Sequence, residues 1–426
     1  MELLSFAVVA AFLVLYSSVS KRLEQTGLIT APIVFVFFGW LVGKQVIGLI
    51  DLELENEILH FAAEITLALL LFADASQINF KLLRREQDLP VRMLTLGLAG
   101  IVALGTLVAM LIFSDLNLWQ AAVLATILTP TDAALAQKVV SSPQMPVRVR
   151  QAINVESGLN DGLALPVLIL FLTLAEASTG VDSPGSVIGL AASQLILGPL
   201  VGVAVGYGGG QILTWGKHKD WVEDDFLRLS ALGLAMVAFG LAESVGGNGF
   251  IAAFVAGLVV GTTAGSITDK LHDFAEIEGR LLTIVMFTIF GAIMLPIGLA
   301  NLDWRIILYA LLSLTVVRII PIVLSLIGVK EDLQWETYLM FGWFGPRGIA
   351  SIIYVLVAIN ENLIAGTELI VQVVAVTIAL SVLLHGMSAA PLTHWYHQRV
   401  DRSSGAEAHD TQEVEEQNIS EQSVED

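Results

Sequence analysis

Apolar stretches of about twenty residues recur along most of this 426-residue chain, and each is long enough to cross a bilayer. That repetition restricts the fold more than any other feature. In lipid every backbone N–H and C=O must be satisfied internally, which leaves helices or closed barrels. The alternating apolar and polar strands of a barrel are absent, so the chain reads as an all-α polytopic membrane protein. Composition agrees: 55% of residues are hydrophobic and only 14% are charged, whereas soluble domains carry about 25% charged residues. There is no cysteine, hence no disulfide framework and no thiol metal site. The first apolar segment, 3–19, lacks a basic leader and is followed by Lys21 and Arg22. It reads as a retained first span rather than a cleaved signal.

Thirteen spans are expected, over residues 3–19, 28–49, 57–79, 92–114, 119–139, 151–175, 186–215, 227–244, 249–264, 281–299, 304–328, 334–359 and 366–391. An odd count puts the termini on opposite sides. With the N-terminus outside, 17 of the 21 basic residues fall on the cytoplasmic side, as the positive-inside rule requires. A missed or surplus span would scramble that bias. The chain thus divides into a transmembrane domain, residues 1–395, and an acidic tail, residues 396–426. The last 26 residues hold nine acids and one arginine, the composition of a disordered, solvated cytoplasmic segment.

Against this apolar background, residues 154–162 read NVESGLNDG. At 100° per residue, with Glu156 at 0°, Asn160 lies near 40°, Ser157 near 100° and Asp161 near 140°. The four polar groups fill one arc, opposite Val155, Leu159 and Leu163. A carboxylate at mid-bilayer costs at least a few kcal/mol, so two on one helix imply a function or a polar packing network. The preceding span reads TILTPTDAAL over 126–135. Pro130 removes a donor and disfavours helix at Thr129, so the helix should open there. Carbonyls near Thr129 would then face a cavity, and Thr131 or Asp132 would begin a new half-helix; a plain proline kink capped by Asp132 is the simpler alternative. Span twelve contains FGWFGPRGIAS, 341–351, where Gly345, Pro346 and Gly348 interrupt the helix around Arg347. Two interrupted helices in corresponding places of two halves point to a transporter binding site and to inverted repeats. Gly198, Gly202, Gly206 and Gly210 in span seven form a seam for close helix contact.

These motifs, TPTD (129–132), NVESGLNDG (154–162), GFIAAFVAGL (249–258) and FGPRG (344–348), resemble the monovalent cation/proton antiporters, specifically the NhaP-like branch of sodium/proton exchangers. The resemblance covers about residues 1–395. It implies a fold of about 13 transmembrane helices with inverted repeats and two interrupted crossing helices. It also implies a homodimer in the plasma (bacterial inner) membrane, serving pH homeostasis. Carried over by motif, Asp161 is the shared ion and proton carrier. Ser157 is a further oxygen ligand, and Thr129, Thr131 and Asp132 belong to the unwound crossing, so a bound Na⁺ would touch Asp161, Ser157 and Asp132. Asn160 beside Asp161 marks the electroneutral type, exchanging one cation for one proton. Glu156 is expected to pair with Arg347. The residues agree with that division, since Glu156 and Asp161 lie about 140° apart on their helix. An arginine can hold the first without quenching the second.

The chain departs from the family's pattern in the third span, where FADASQINF (72–80) offers Asp74 and Ser76 in place of a Gly-Leu-Glu stretch. Asp74 either binds the ion or lines a cytoplasmic funnel. Arg318 reads as a helix cap or the partner of an acid, and Glu64 and Glu243 as water-facing. His394 and His397 read as interfacial rather than metal-binding. A K⁺/H⁺ antiporter of the same fold is the nearest alternative. A channel would need a ring of like residues, and an intramembrane aspartyl hydrolase would use Asp132 and Asp161 as a dyad. The chain reads as a transporter and not an enzyme, with no cofactor and no nucleic-acid partner expected.

Overall fold

The computed structural model describes residues 2–51, 54, 56–77, 88–142, 144–178, 184–264, 268–329, 333–360 and 367–422. Among these the regular elements are helices, with one isolated bridge between Gly43 and Ile50. In chain order they are α1 (Glu2–Gln25), α2 (Ala31–Val42), α3 (Glu57–Ser76), α4 (Asp88–Ile112), α5 (Leu118–Ile127), α6 (Ala133–Val140), α7 (Val147–Ala177), α8 (Pro184–His218), α9 (Asp224–Ser244), α10 (Gly249–Thr263), α11 (Thr268–Ile289), α12 (Trp304–Leu326), α13 (Trp335–Trp343), α14 (Ile349–Asn360) and α15 (Thr367–Gln422). A π-helical turn over Phe290–Met294 extends α11 to Ala300. Each of the thirteen expected spans corresponds to one helix or to one interrupted pair, α5 with α6 and α13 with α14. Among the described residues, eight helices are long and apolar enough to cross a membrane, and α2, α5, α10 and α14 are shorter apolar helices. The apolar part of α15 is Glu368–Val400. The basic loop residues Lys81, Arg84, Arg85 and Lys330 lie outside the described residues.

Short half-helices set the depth of the breaks. At 1.5 Å per residue, α5 and α13 are each about 15 Å long, roughly half of the hydrocarbon thickness. Their ends therefore meet near mid-membrane. Thr129–Asp132 and Phe344–Gly348 carry no helical backbone. A third discontinuity has no glycine or proline at the break itself: α12 departs from helical geometry at Thr315, with φ −115° and ψ −88°, six residues before Pro321.

Glycine decides how closely α8, α10 and α3 stack. A Cβ at Gly202 or Gly206 of α8 would lie 2.6 Å from the Ala252 or Ala256 carbonyl oxygen of α10. One at Gly257 or Gly261 of α10 would lie 2.2 or 2.3 Å from the Phe72 or Ser76 carbonyl oxygen of α3. The expected seam is therefore a helix-packing face, and its partner is α10. Without a hydrophobic driving force in lipid, such backbone-to-backbone approach is what holds helices together.

Candidate functional site

Helix α7 carries the polar arc into the middle of the protein. Glu156, Ser157 and Asn160 are buried, at 2%, 2% and 1% exposure. Glu156 is held by an arginine, but not by Arg347 as the sequence suggested. Arg318 of α12 donates from Nη1 to Glu156 Oε1 at 2.7 Å and from Nη2 to Oε2 at 2.8 Å. This is the bidentate geometry for which a planar guanidinium is suited. The physical reason lies in the break just after α13: Gly345 leaves no Cβ where the Arg318 guanidinium passes, since a Cβ there would sit 2.3 Å from Nε. Arg318 also reaches the Phe341 carbonyl at the end of α13, at 3.5 Å. It thus fulfils both readings offered for it, an acid's partner and a cap.

Arg347 serves the other half-helix. Its Nη1 donates to the Thr129 carbonyl at 2.9 Å and lies 3.5 Å from the Pro130 carbonyl, beyond the C-terminal end of α5. Among the described residues its Nε and Nη2 have no hydrogen-bond partner, although the residue is fully buried. A cation at a helix C-terminus offsets the partial negative charge of the unpaired carbonyls.

Asp132 does the converse for the N-termini. Its Oδ1 accepts from the Leu135 N–H of α6 at 3.2 Å, and its Oδ2 from the Ile349 N–H of α14 at 3.0 Å. One carboxylate therefore caps both second half-helices. The two breaks are joined further by the Asp132 N–H on the Pro346 carbonyl, 2.8 Å, and the Ser351 hydroxyl on the Ile127 carbonyl, 2.7 Å. Thr131 donates to Ser157 Oγ at 3.3 Å, and Asn160 Nδ2 reaches Glu156 Oε1 at 3.2 Å and the Thr129 carbonyl at 3.4 Å. The arrangement makes Gly348 obligatory, because a Cβ there would lie 1.8 Å from Asp132 Oδ2. Gly348→Ala is expected to cost about 1–3 kcal/mol by overpacking and to disturb the crossing. Gly240→Ala on α9, where a Cβ meets nothing within 4 Å, is expected to be neutral. Thermal melting of the two purified variants checks both.

A half-open cavity of about 400 Å³ reaches this crossing from one end of the helices. Asp161, Asp132 and Asp74 line it, together with Asn154, Gln137, Thr283 and, toward the helix ends, Gln77, Ser141 and Arg280. Of the third-span candidates, Asp74 faces the cavity, while the buried Ser76 hydroxyl is bonded to the Ala73 carbonyl at 2.7 Å. Asp74 and Asp161 are half-buried. The Thr131 backbone amide is directed at the Asp161 carboxylate, yet Asp161 Oδ1 has no hydrogen-bond partner among the described residues. The Tyr354 hydroxyl donates to the Asp161 main-chain carbonyl, which pins this turn of α7 to α14. Thr129, Thr131, Ser157 and Asn160 belong to the buried crossing and not to the cavity wall. Asn154, a cavity residue that the motifs do not single out, lies two helical turns before Asp161 on the same side. Glu64 and Glu243 line a second, smaller cavity of about 160 Å³ with Glu176, Gln194 and Asn248. Glu64 is half-buried there and Glu243 exposed.

Two interrupted helices crossing at mid-depth, beside a cavity lined by carboxylates, define the class as a secondary transporter. The chain belongs to the sodium/hydrogen exchanger family: the profile described as "Sodium/hydrogen exchanger, transmembrane" matches residues 8–395. The chain is 26% identical over 383 residues to the K(+)/H(+) antiporter NhaP of Alkalimonas amylolytica, covering 88% of this chain and 64% of that one. It is likewise 26% identical to the Na(+)/H(+) antiporter NhaG of Bacillus atrophaeus, covering 88% and 71%. Against Na(+)/H(+) antiporter 2 of Zygosaccharomyces rouxii, also 26% identical, the shares are 82% and 45%. The chain thus spans from less than half to about two thirds of these relatives' lengths. Its fold is that of the sodium proton antiporter MjNhaP1 from Methanocaldococcus jannaschii, with a TM-score of 0.74 at 23% identity, over 93% of this chain and 100% of that one.

Proposed function

We propose that this chain exchanges a monovalent cation, Na⁺ in the first instance, for a proton by alternating access, one for one and without net charge movement. Asp161 is the shared carrier. The observation that carries this reading is the contrast between Asp161 and its neighbours. At the crossing, Arg318 and Arg347 balance Glu156 and Asp132, and each of these four has a partner there. Asp161 stands outside that balance, in the cavity wall, with Oδ1 unpartnered. A carboxylate in such a place is satisfied by a cation or by a proton, one at a time. Asp74 and Asp132, on the same wall, raise the local cation concentration, and Ser157 lies behind them as a reserve oxygen.

The relatives bear names of both Na⁺ and K⁺ antiporters, so a K⁺/H⁺ exchanger is the second reading. A hydrolytic dyad of Asp132 and Asp161 is disfavoured, because both Asp132 oxygens accept helix-capping N–H groups. We place the protein in the plasma membrane as a homodimer, with the C-terminus and the acidic tail, residues 396–426, in the cytoplasm. The cavity then faces inward, since Gln77, Ser141 and Arg280 at its mouth adjoin the basic loops. Proteoliposomes loaded with a pH dye test the reading. Na⁺, K⁺ or Li⁺ added outside should dissipate an imposed ΔpH, and the rate should be indifferent to a valinomycin-clamped potential. No response to any of the three cations would reject it.

Asn160→Asp bears on stoichiometry. The new carboxylate would sit beside Glu156 Oε1, but the unpartnered Arg347 Nε and Nη2 lie close by, since Arg347 and Asn160 both reach the Thr129 carbonyl. With a counter-charge at hand the added acid stays ionised and carries no proton. The variant is expected to exchange more weakly and to remain electroneutral. Acceleration under one sign of the clamped potential would show that position 160 alone sets the stoichiometry.

A further inference from the structure

Beneath the second interruption lies a polar chain that none of the charges above accounts for. His385 and Ser381, one turn apart on α15, are 1% and 0% exposed. The Arg347 main-chain N–H donates to Ser381 Oγ at 2.6 Å. Ser381 Oγ is in turn 3.2 Å from His385 Nδ1, and His385 Nε2 is 3.0 Å from the Trp343 carbonyl. A carbonyl can only accept, so the bond to Trp343 is one that His385 Nε2 donates. On the other side of the ring Nδ1 faces both the Ser381 hydroxyl and, at 3.0 Å, the Ser381 main-chain carbonyl. The Trp343 indole lies along the same imidazole, 4.8 Å between ring centres, and its Nε1 donates to Ser388 at 2.9 Å.

The two backbone groups held this way flank the break. Trp343 ends α13, and Arg347 begins the approach to α14. A continuous helix would have paired the Trp343 carbonyl with the Arg347 amide four residues on; the interruption separates them, leaving the carbonyl a tight-turn bond from the Gly345 N–H beside that of His385. The other main-chain bonds of Phe344–Gly348 are few: Phe344 N–H bonds Met340, Gly345 N–H bonds Trp343, the Pro346 carbonyl accepts from Asp132 N–H, and the Gly348 carbonyl accepts from Ile352 N–H. The direction of the Arg347 side chain toward Thr129, and the seat of Gly348 against Asp132, both follow from where this segment is pinned.

We propose that His385 and Ser381 are positioning residues for the ion site, a clamp from α15 that fixes the non-helical segment Phe344–Gly348. This rests on the antiporter reading for its effect on transport, but the geometry can be tested without transport. Removing either side chain opens the clamp, lets the break shift, and moves Asp132 and the upper cavity wall with it.

Because the chain has no cysteine, Ala350→Cys supplies a single thiol in the cavity wall. Its rate of labelling by a small water-soluble maleimide reports the break directly. In that background His385→Ala and Ser381→Ala are each expected to change the labelling rate several-fold. The double variant should behave like either single one, since both act through one chain of hydrogen bonds. His385→Gln, whose amide can still donate to the Trp343 carbonyl, should restore much of the original rate. In proteoliposomes the alanine variants should raise the apparent KM for Na⁺ by roughly tenfold, the size of one lost buried hydrogen bond, with a smaller effect on maximal rate. If labelling is unchanged in every folded variant, or if the two alanine effects simply add, the clamp is wrong. Altered labelling with no cation-driven exchange in the parent chain would uphold the clamp and reject the antiporter reading. Should His385→Ala not fold, Ser381→Ala and His385→Gln carry the same comparison.

Discussion

Glu156→Gln lowers the thermal stability of the purified protein sharply, Arg318→Gln does the same, and the double variant recovers part of the loss: this is the result expected from the bidentate pair. Both side chains are at most 2% exposed, so removing one strands its partner's charge away from water. Breaking a buried pair on one side costs about 3–5 kcal/mol, whereas replacing both members is far milder. Asn160 loses a neighbour as well, because its Nδ2 bonds Glu156 Oε1. The Arg318 effect should exceed that of Glu156, since Arg318 also serves the end of α13 at Phe341. Arg347→Gln supplies the contrast. It removes a cation from the end of α5 rather than from Glu156, so combining it with Glu156→Gln should give no recovery. A coupling that appears with Arg347 and not with Arg318 would reverse the assignment made from the geometry.

The second large effect concerns Asp161→Asn. The substitution keeps the shape of the side chain and removes both its charge and its titrating proton. Oδ1 has no partner to lose, and the Tyr354 hydroxyl bonds the main-chain carbonyl, which the substitution leaves in place. Folding and stability should therefore change little, while cation-driven dissipation of ΔpH in proteoliposomes should fall below detection. By comparison, Asp74→Asn lies on the same wall and is expected to weaken exchange without abolishing it. Asp132→Asn should cost stability, because the charge that caps α6 and α14 disappears.

Where the spans lie, and where two of them break, was legible in the sequence. Lipid demands apolar length and a satisfied backbone, and Pro130, Gly345, Pro346 and Gly348 are the residues that violate the second demand. The facing of α7 was legible too, since helical spacing alone separates Glu156 from Asp161, and the two do have different surroundings. Which arginine meets Glu156 was not. Arg347 stood in the break and looked like the natural counter-ion, but pairing across 162 residues of sequence depends on how α12 approaches α13. That approach is set by the bend at Thr315, which has no local signature, and by the space left at Gly345. Asp132 shows the same limit. Spacing identified it as a cap for its own half-helix, yet its second role, capping α14, exists only because the two breaks are brought within 3 Å of each other. His385 was invisible for a related reason. A lone histidine in an apolar helix carries no pattern, and its meaning comes from the Trp343 carbonyl and Ser381 beside it.

The account stands or falls on one carboxylate holding either a cation or a proton, and proton release on cation binding reads that exchange directly. Purified protein in weak buffer with a pH dye, titrated with NaCl and separately with KCl against choline chloride, should release up to one proton per chain. The Asp161→Asn variant should release none while retaining its fold. Release that persists undiminished in Asp161→Asn would contradict the central claim and move the shared site to another group.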